Sequence, residues 1–191
     1  MKEQTFEEIL NGIPIESGKA LLKINDRVFI KEPIVEIKNK ATPEAFTIFI
    51  GCQTIGCWQS DGWGIGVFGN FPEIVSYIPE EMKKLQFENI AVLVEEVIHS
   101  FPESTDFTKN DQAYCDVINF LEGHDRFIKE KQKFEKYSPN EKYQIREKYR
   151  IAVEKLEKEA EFLWGYKSAP EGGWGNIIDF LKNNLNAKIW K

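Results

Sequence analysis

Helix punctuation recurs along this chain more often than any other signal, and it confines the fold to one built mainly from helices. Thr5 stands three residues before Glu8, and Ser138 three before Glu141. Each pair matches a capping box, in which side chain and backbone satisfy each other's orphan donors. Pro139 falls at the first helical position, where a missing N–H costs nothing. Thr42-Pro43-Glu44 repeats that pattern, and Asn70-Phe71-Pro72-Glu73 reads the same way with Asn70 as the cap.

Between these starts the apolar residues advance by three or four. Ile145, Tyr149, Ala152, Leu156, Ala160 and Leu163 lie among Glu, Lys and Arg and predict an amphipathic helix over 139–164. Ile90, Leu93, Val94, Val97, Ile98 and Phe101 predict another, closed by Pro102. Tyr114, Val117, Ile118 and Leu121 predict a third, closed by Gly123. A last helix is expected over 174–186. The stretch 45–58 includes Thr-Ile-Phe-Ile, which also has strand chemistry, but its length favours a helix. Residues 27–37, β-branched and split by Pro33, read as a short strand or an irregular connection. The expectation is an all-α, single-domain, multi-helix bundle over 1–191.

The 191 residues, 42% hydrophobic and 13% aromatic, can supply the core such a bundle needs. Their 31 acidic residues exceed 25 Lys and Arg and give a formal charge of −6. That balance argues against direct nucleic-acid binding by phosphate neutralisation and suits a basic protein partner. Three cysteines are too few for a disulfide scaffold and fit a reducing cytoplasm. The acidic N-terminal stretch does not read as a signal peptide, and no run is apolar for long enough to span a bilayer.

Chemistry-bearing patterns are sparse. Gly64-Ile65-Gly66-Val67-Phe68-Gly69 spells G-x-G-x-x-G, but the residues before it, 59–63, read as a turn and not as a buried strand, so no nucleotide site is expected. There is no H-E-x-x-H or C-x-x-C, and neither metal nor cofactor is expected. His99 borders a helix core, and His124 follows Gly123 at a helix end, where a cation would face the negative end of the dipole. Glu73, Glu80, Glu88, Glu95 and Glu103 recur every seven or eight residues, with Glu81 and Glu96 doubling two positions. If their helices align, they form one acidic stripe that could imitate a line of phosphates.

Asp61-Gly62-Trp63 with Phe68-Gly69-Asn70, the paired helices over 78–85 and 90–102, and Leu121-Glu122-Gly123-His124-Asp125-Arg126-Phe127 carry a family likeness. Over 46–128 the chain resembles a bacterial family of uncharacterised helical domains related to DNA-mimic proteins, with Asp61 in place of the family's first glycine. The resemblance implies a helical fold and an acidic surface that occupies the DNA-binding face of a partner.

Two functions follow as expectations. One is a non-enzymatic protein-binding or regulatory module, DNA-mimic or antitoxin-like, contacting its partner through Glu73, Glu80, Glu81, Glu88, Glu95 and Glu96. The alternative is a small-ligand binder or enzyme whose pocket joins Trp58 and Trp63 with Asp61, His99 or His124. A self-associating scaffold, with an exposed seam over 149–163, is a plainer third.

Overall fold

A computed structural model describes residues 4–16, 18–28, 32–161 and 173–191. Among them, ten α-helices follow one another: α1 (Phe6–Leu10), α2 (Gly18–Val28), α3 (Ile34–Lys40), α4 (Pro43–Asp61), α5 (Pro72–Val75), α6 (Ile78–Lys84), α7 (Glu88–Ile98), α8 (Gln112–Leu121), α9 (Pro139–Ala160) and α10 (Trp174–Asn183). No strand forms among the described residues, so the bundle is all-α. Of the short strand or irregular connection anticipated over 27–37, no strand forms among the described residues: Arg27 and Val28 end α2, Ile34 begins α3, and residues 29–31 lie outside the described residues. Pro33 precedes the first turn of α3, and Ile34 and Ile37 turn inward together at helical spacing.

The bundle is arranged around α4. Ala45, Phe46, Ile48, Phe49, Ile50, Ile55 and Trp58 are all buried, and they point to every side of the helix. A helix apolar on all sides must be wrapped, which is why the strand-like Thr-Ile-Phe-Ile stays helical. Helices α2, α6 and α10 pack on it. Gly51 lets α10 and the end of α6 close in, because a Cβ there would come within 2.5 Å of Leu85 Cδ1.

The caps behave as their sequences require. Glu8 N–H donates to Thr5 Oγ1 at 3.3 Å while Thr5 N–H donates to the Glu8 carboxylate at 3.0 Å. The Ser138–Glu141 box closes in the same way at 2.7 and 3.3 Å. Asn70 does not cap α5; Phe71 occupies that position, and the Asn70 carbonyl instead accepts from Asn110 Nδ2 at 2.9 Å.

Both α6 and α8 end in a Schellman turn. At α8, His124 N–H reaches Asn119 O at 2.7 Å and Gly123 supplies the left-handed residue. At α6, Phe87 N–H reaches Met82 O at 2.9 Å, and the left-handed residue is Gln86 at φ 64. A side chain in that conformation is strained, so Gln86→Gly is expected to raise stability by about 1 kcal/mol. An unchanged urea midpoint would contradict this.

The C-terminal residues lace the ends of the chain together. Phe6 N–H donates to Ala187 O at 3.0 Å and Thr42 N–H to Ile189 O at 2.9 Å, so the tail joins α1 to the α3–α4 junction. The helix over 174–186 ends at Asn183, and the part of the 139–164 prediction beyond Glu161 lies outside the described residues. Within α9, Tyr149, Ala152, Leu156 and Ala160 are buried against the bundle, so that stripe is core and not an exposed seam.

Candidate functional site

The anticipated turn before the glycine run is absent. Helix α4 continues to Asp61 and passes directly into a π-helical segment, Gly62–Gly69. Such segments recur at functional sites, but Gly62, Gly66 and Gly69 here answer local backbone and packing needs. A Cβ on Gly66 would sit 2.3 Å from the carbonyl oxygen of Cys57, and one on Gly69 would sit 3.1 Å from Gly64 O. Gly62 has φ 72 and lies under the Glu157 carboxylate. The G-x-G-x-x-G spelling is therefore explained by a tight helical joint.

Glu157 organises the two tryptophans. One oxygen accepts Trp58 Nε1 at 2.9 Å and the other accepts the Trp63 backbone N–H at 2.6 Å. Trp58 and Trp63 are 1% and 0% exposed, and both lie in the core. Asp61, His99 and His124 are exposed, each at a helix end. The five residues of the anticipated aromatic pocket are thus split between interior and surface.

Around the same segment lie buried or half-buried tyrosines and cysteines. Burial and the Glu122 carboxylate push the Tyr149 phenol up. Burial, then Glu73, does the same to Tyr114, whose hydroxyl donates to Phe68 O. Cys52 is pushed up to about 12 by burial, and Cys57 is raised by burial and then by Asp61, so neither forms a ready thiolate. Among the described residues no three His, Cys, Asp or Glu side chains are placed to hold a metal ion. No helix among them is long and apolar enough to cross a membrane.

The predicted acids divide by environment. Glu81 is buried and accepts Thr47 Oγ1 at 2.6 Å and Lys84 Nζ at 2.9 Å, so it belongs to the α4–α6 contact. Glu73, on α5, is half-buried, with one oxygen enclosed. The others face solvent. Glu80 meets Lys84 at 2.8 Å, Glu95 meets Lys83 at 3.0 Å and Glu96 meets Lys155 at 3.4 Å. Glu88 is exposed and makes no ion pair among the described residues. The Lys84 hydrogen bond holds the Glu80 carboxyl below its ordinary range.

Two clefts meet at His99 on this face. One, of about 420 Å³, includes Glu80, Lys83, Glu95 and Ile98. The other, of about 590 Å³ between α7 and α9, includes Glu96, Tyr143, Glu147, Lys148, Ile151 and Lys155. Tyr143 and Ile151 are 65% and 42% exposed, large apolar groups held at the edge of a charged groove. Sequence periodicity placed Tyr149, Ala152, Leu156 and Ala160 of α9 in the core but gave no reason to set these two apart from its solvated side. Compared with family models, with curated proteins and with solved structures, the chain matches none.

Proposed function

We propose that the chain is a non-enzymatic protein-binding or regulatory module of the reducing cytoplasm. It takes a basic, amphipathic segment of a partner protein against the face made by α6, α7 and α9. The observation that carries this is the α7–α9 groove, where exposed Tyr143 and Ile151 flank Glu147 along α9 and share the cleft with Glu96 of α7. Apolar side chains in a concave, charge-rimmed surface are what an amphipathic helix covers.

The lysines on this face do not disable it. Glu80, Glu95 and Glu96 hold theirs in exposed ion pairs. Such pairs are worth about 0–1 kcal/mol each, so arginines or lysines of a partner can replace them. Glu88 offers a carboxylate without such competition. This interleaving of charges favours a mixed groove over a bare line of carboxylates. The proposed regulatory role, antitoxin-like or DNA-mimic, then operates through Glu80, Glu88, Glu95 and Glu96 and not through buried Glu81 or half-buried Glu73.

The test is affinity capture from the source lysate in low and high salt, using the wild-type chain and an E80K/E88K/E95K/E96K variant. One specific basic partner, released by salt and lost by about tenfold or more on charge reversal, is the expected result. Retention of the same partner by the variant would sink the proposal.

A further inference from the structure

We propose a second binding site, for a small zwitterion with an aromatic body, in the cleft between the 102–111 connection and the 131–137 segment. The cleft holds about 340 Å³, within the range of small-molecule pockets, and shares no lining residue with the α6–α7–α9 face.

Its floor is apolar and its mouth is charged. Buried Pro102, Tyr114 and Phe134 and half-buried Val117 lie at depth. Exposed Asp106 and Asp111 form the lip on the 102–111 side, and exposed Lys133 and Lys136 the lip on the other. No ion pair joins the lips among the described residues, and each charge is held on its own side: Asp111 accepts Tyr114 N–H at 3.0 Å as the cap of α8 while its charge, after Glu130 and Asp116, helps to raise the Lys133 pKa across the cleft. Lys133 turns to Glu130 at 2.5 Å, and the Lys136 ammonium rests 4.9 Å from the centre of the Tyr137 ring. A ligand carrying both an ammonium and a carboxylate can satisfy the two lips at once while its ring covers Phe134 and Val117.

The walls are set before any ligand arrives. Phe134 stacks on Phe120 at 4.4 Å, and the Tyr114 hydroxyl is tied to Phe68 O. Thr105 folds back on Pro102 O through both its N–H and its hydroxyl. The Thr108 hydroxyl and N–H bond to Asp106 and hold it below the ordinary carboxylate range, hence ionised. Pre-ordered walls lower the entropy lost on binding.

The experiment titrates the labelled full chain with L-phenylalanine and follows backbone amides by NMR. Saturable shifts confined to 102–117 and 131–137 are expected. 3-Phenylpropionate, which lacks the ammonium, and phenethylamine, which lacks the carboxylate, should each bind about fivefold more weakly, the loss of one partly exposed charge contact. Lys136→Met, which keeps the apolar stem, should weaken phenylalanine and phenylpropionate about fivefold and leave phenethylamine unchanged. That split separates a direct carboxylate contact from a loosened fold. The absence of saturable shifts, equal binding of all three compounds, or unaltered phenylalanine binding by the variant would each overturn the proposal.

Discussion

Gly66→Ala is expected to destabilise the fold by about 3 kcal/mol, at the upper end of what overpacking costs. The added Cβ would lie 2.3 Å from Cys57 O and 3.2 Å from the Asp61 carbonyl carbon, and both atoms belong to backbone. No rotamer can relieve that contact. The joint between α4 and the π segment must open, and it carries Trp63, Val67 and Phe68 with it, all fully buried. Gly56 supplies the control: it lies in α4, and a Cβ there meets nothing within 4 Å. Gly56→Ala should gain about 0.5–1 kcal/mol from helix propensity. Urea unfolding of the two variants decides the matter, and equal midpoints would mean that the joint is looser than described.

Asp116→Ala is expected to cost about 3 kcal/mol at neutral pH. The wild-type carboxylate is fully buried and accepts Lys129 N–H at 3.0 Å, Glu130 N–H at 2.8 Å and Gln112 Nε2 at 2.8 Å. Alanine would leave those backbone donors without acceptors, at about 1–3 kcal/mol for each that stays buried. Burial works to raise this carboxyl's pKa, but the Lys129 and Glu130 N–H groups, the Gln112 amide and Lys133 outweigh it, and the net shift is downward. A folded pKa below the unfolded one gives stability that is fully present above the unfolded value, about 3.9, and lost as pH falls through the folded one. The difference between wild type and variant should therefore be full at pH 7 and shrink below about pH 4. A difference that does not change between pH 7 and pH 3 would contradict the ionised, donor-fed carboxylate.

What the sequence disclosed was local. Thr5 and Ser138 declare their helices because cap and partner are three residues apart. The stripe of α9 is legible because its four buried residues sit on one turn-to-turn line. The end of the 27–37 stretch was ambiguous because its β-branched residues fit a strand or an irregular connection, while the helix that begins at Ile34 is decided by burial of Ile34 and Ile37. The π segment was illegible because Gly66 and Gly62 answer contacts with Cys57 and Glu157, which a reading along the chain does not bring near.

The acids show the same limit. Glu81, Asp116 and Glu157 are written in the same letters as their solvated neighbours. They differ only through Thr47, 34 residues earlier, Lys129, 13 later, and Trp58, 99 earlier. Spacing along the chain therefore grouped Glu81 with Glu80, although one is core and the other surface. Conversely, Tyr143 and Ile151 gain meaning only when α7 lies alongside α9.

Amide hydrogen exchange of the chain, alone and with the protein it captures, tests the proposed binding face most directly. New protection is expected over 80–99 and 143–155, with exchange over 58–70 unchanged. Protection concentrated over 58–70, with 80–99 and 143–155 exchanging as in the free chain, would contradict it and return the function to the glycine-rich segment around Trp63.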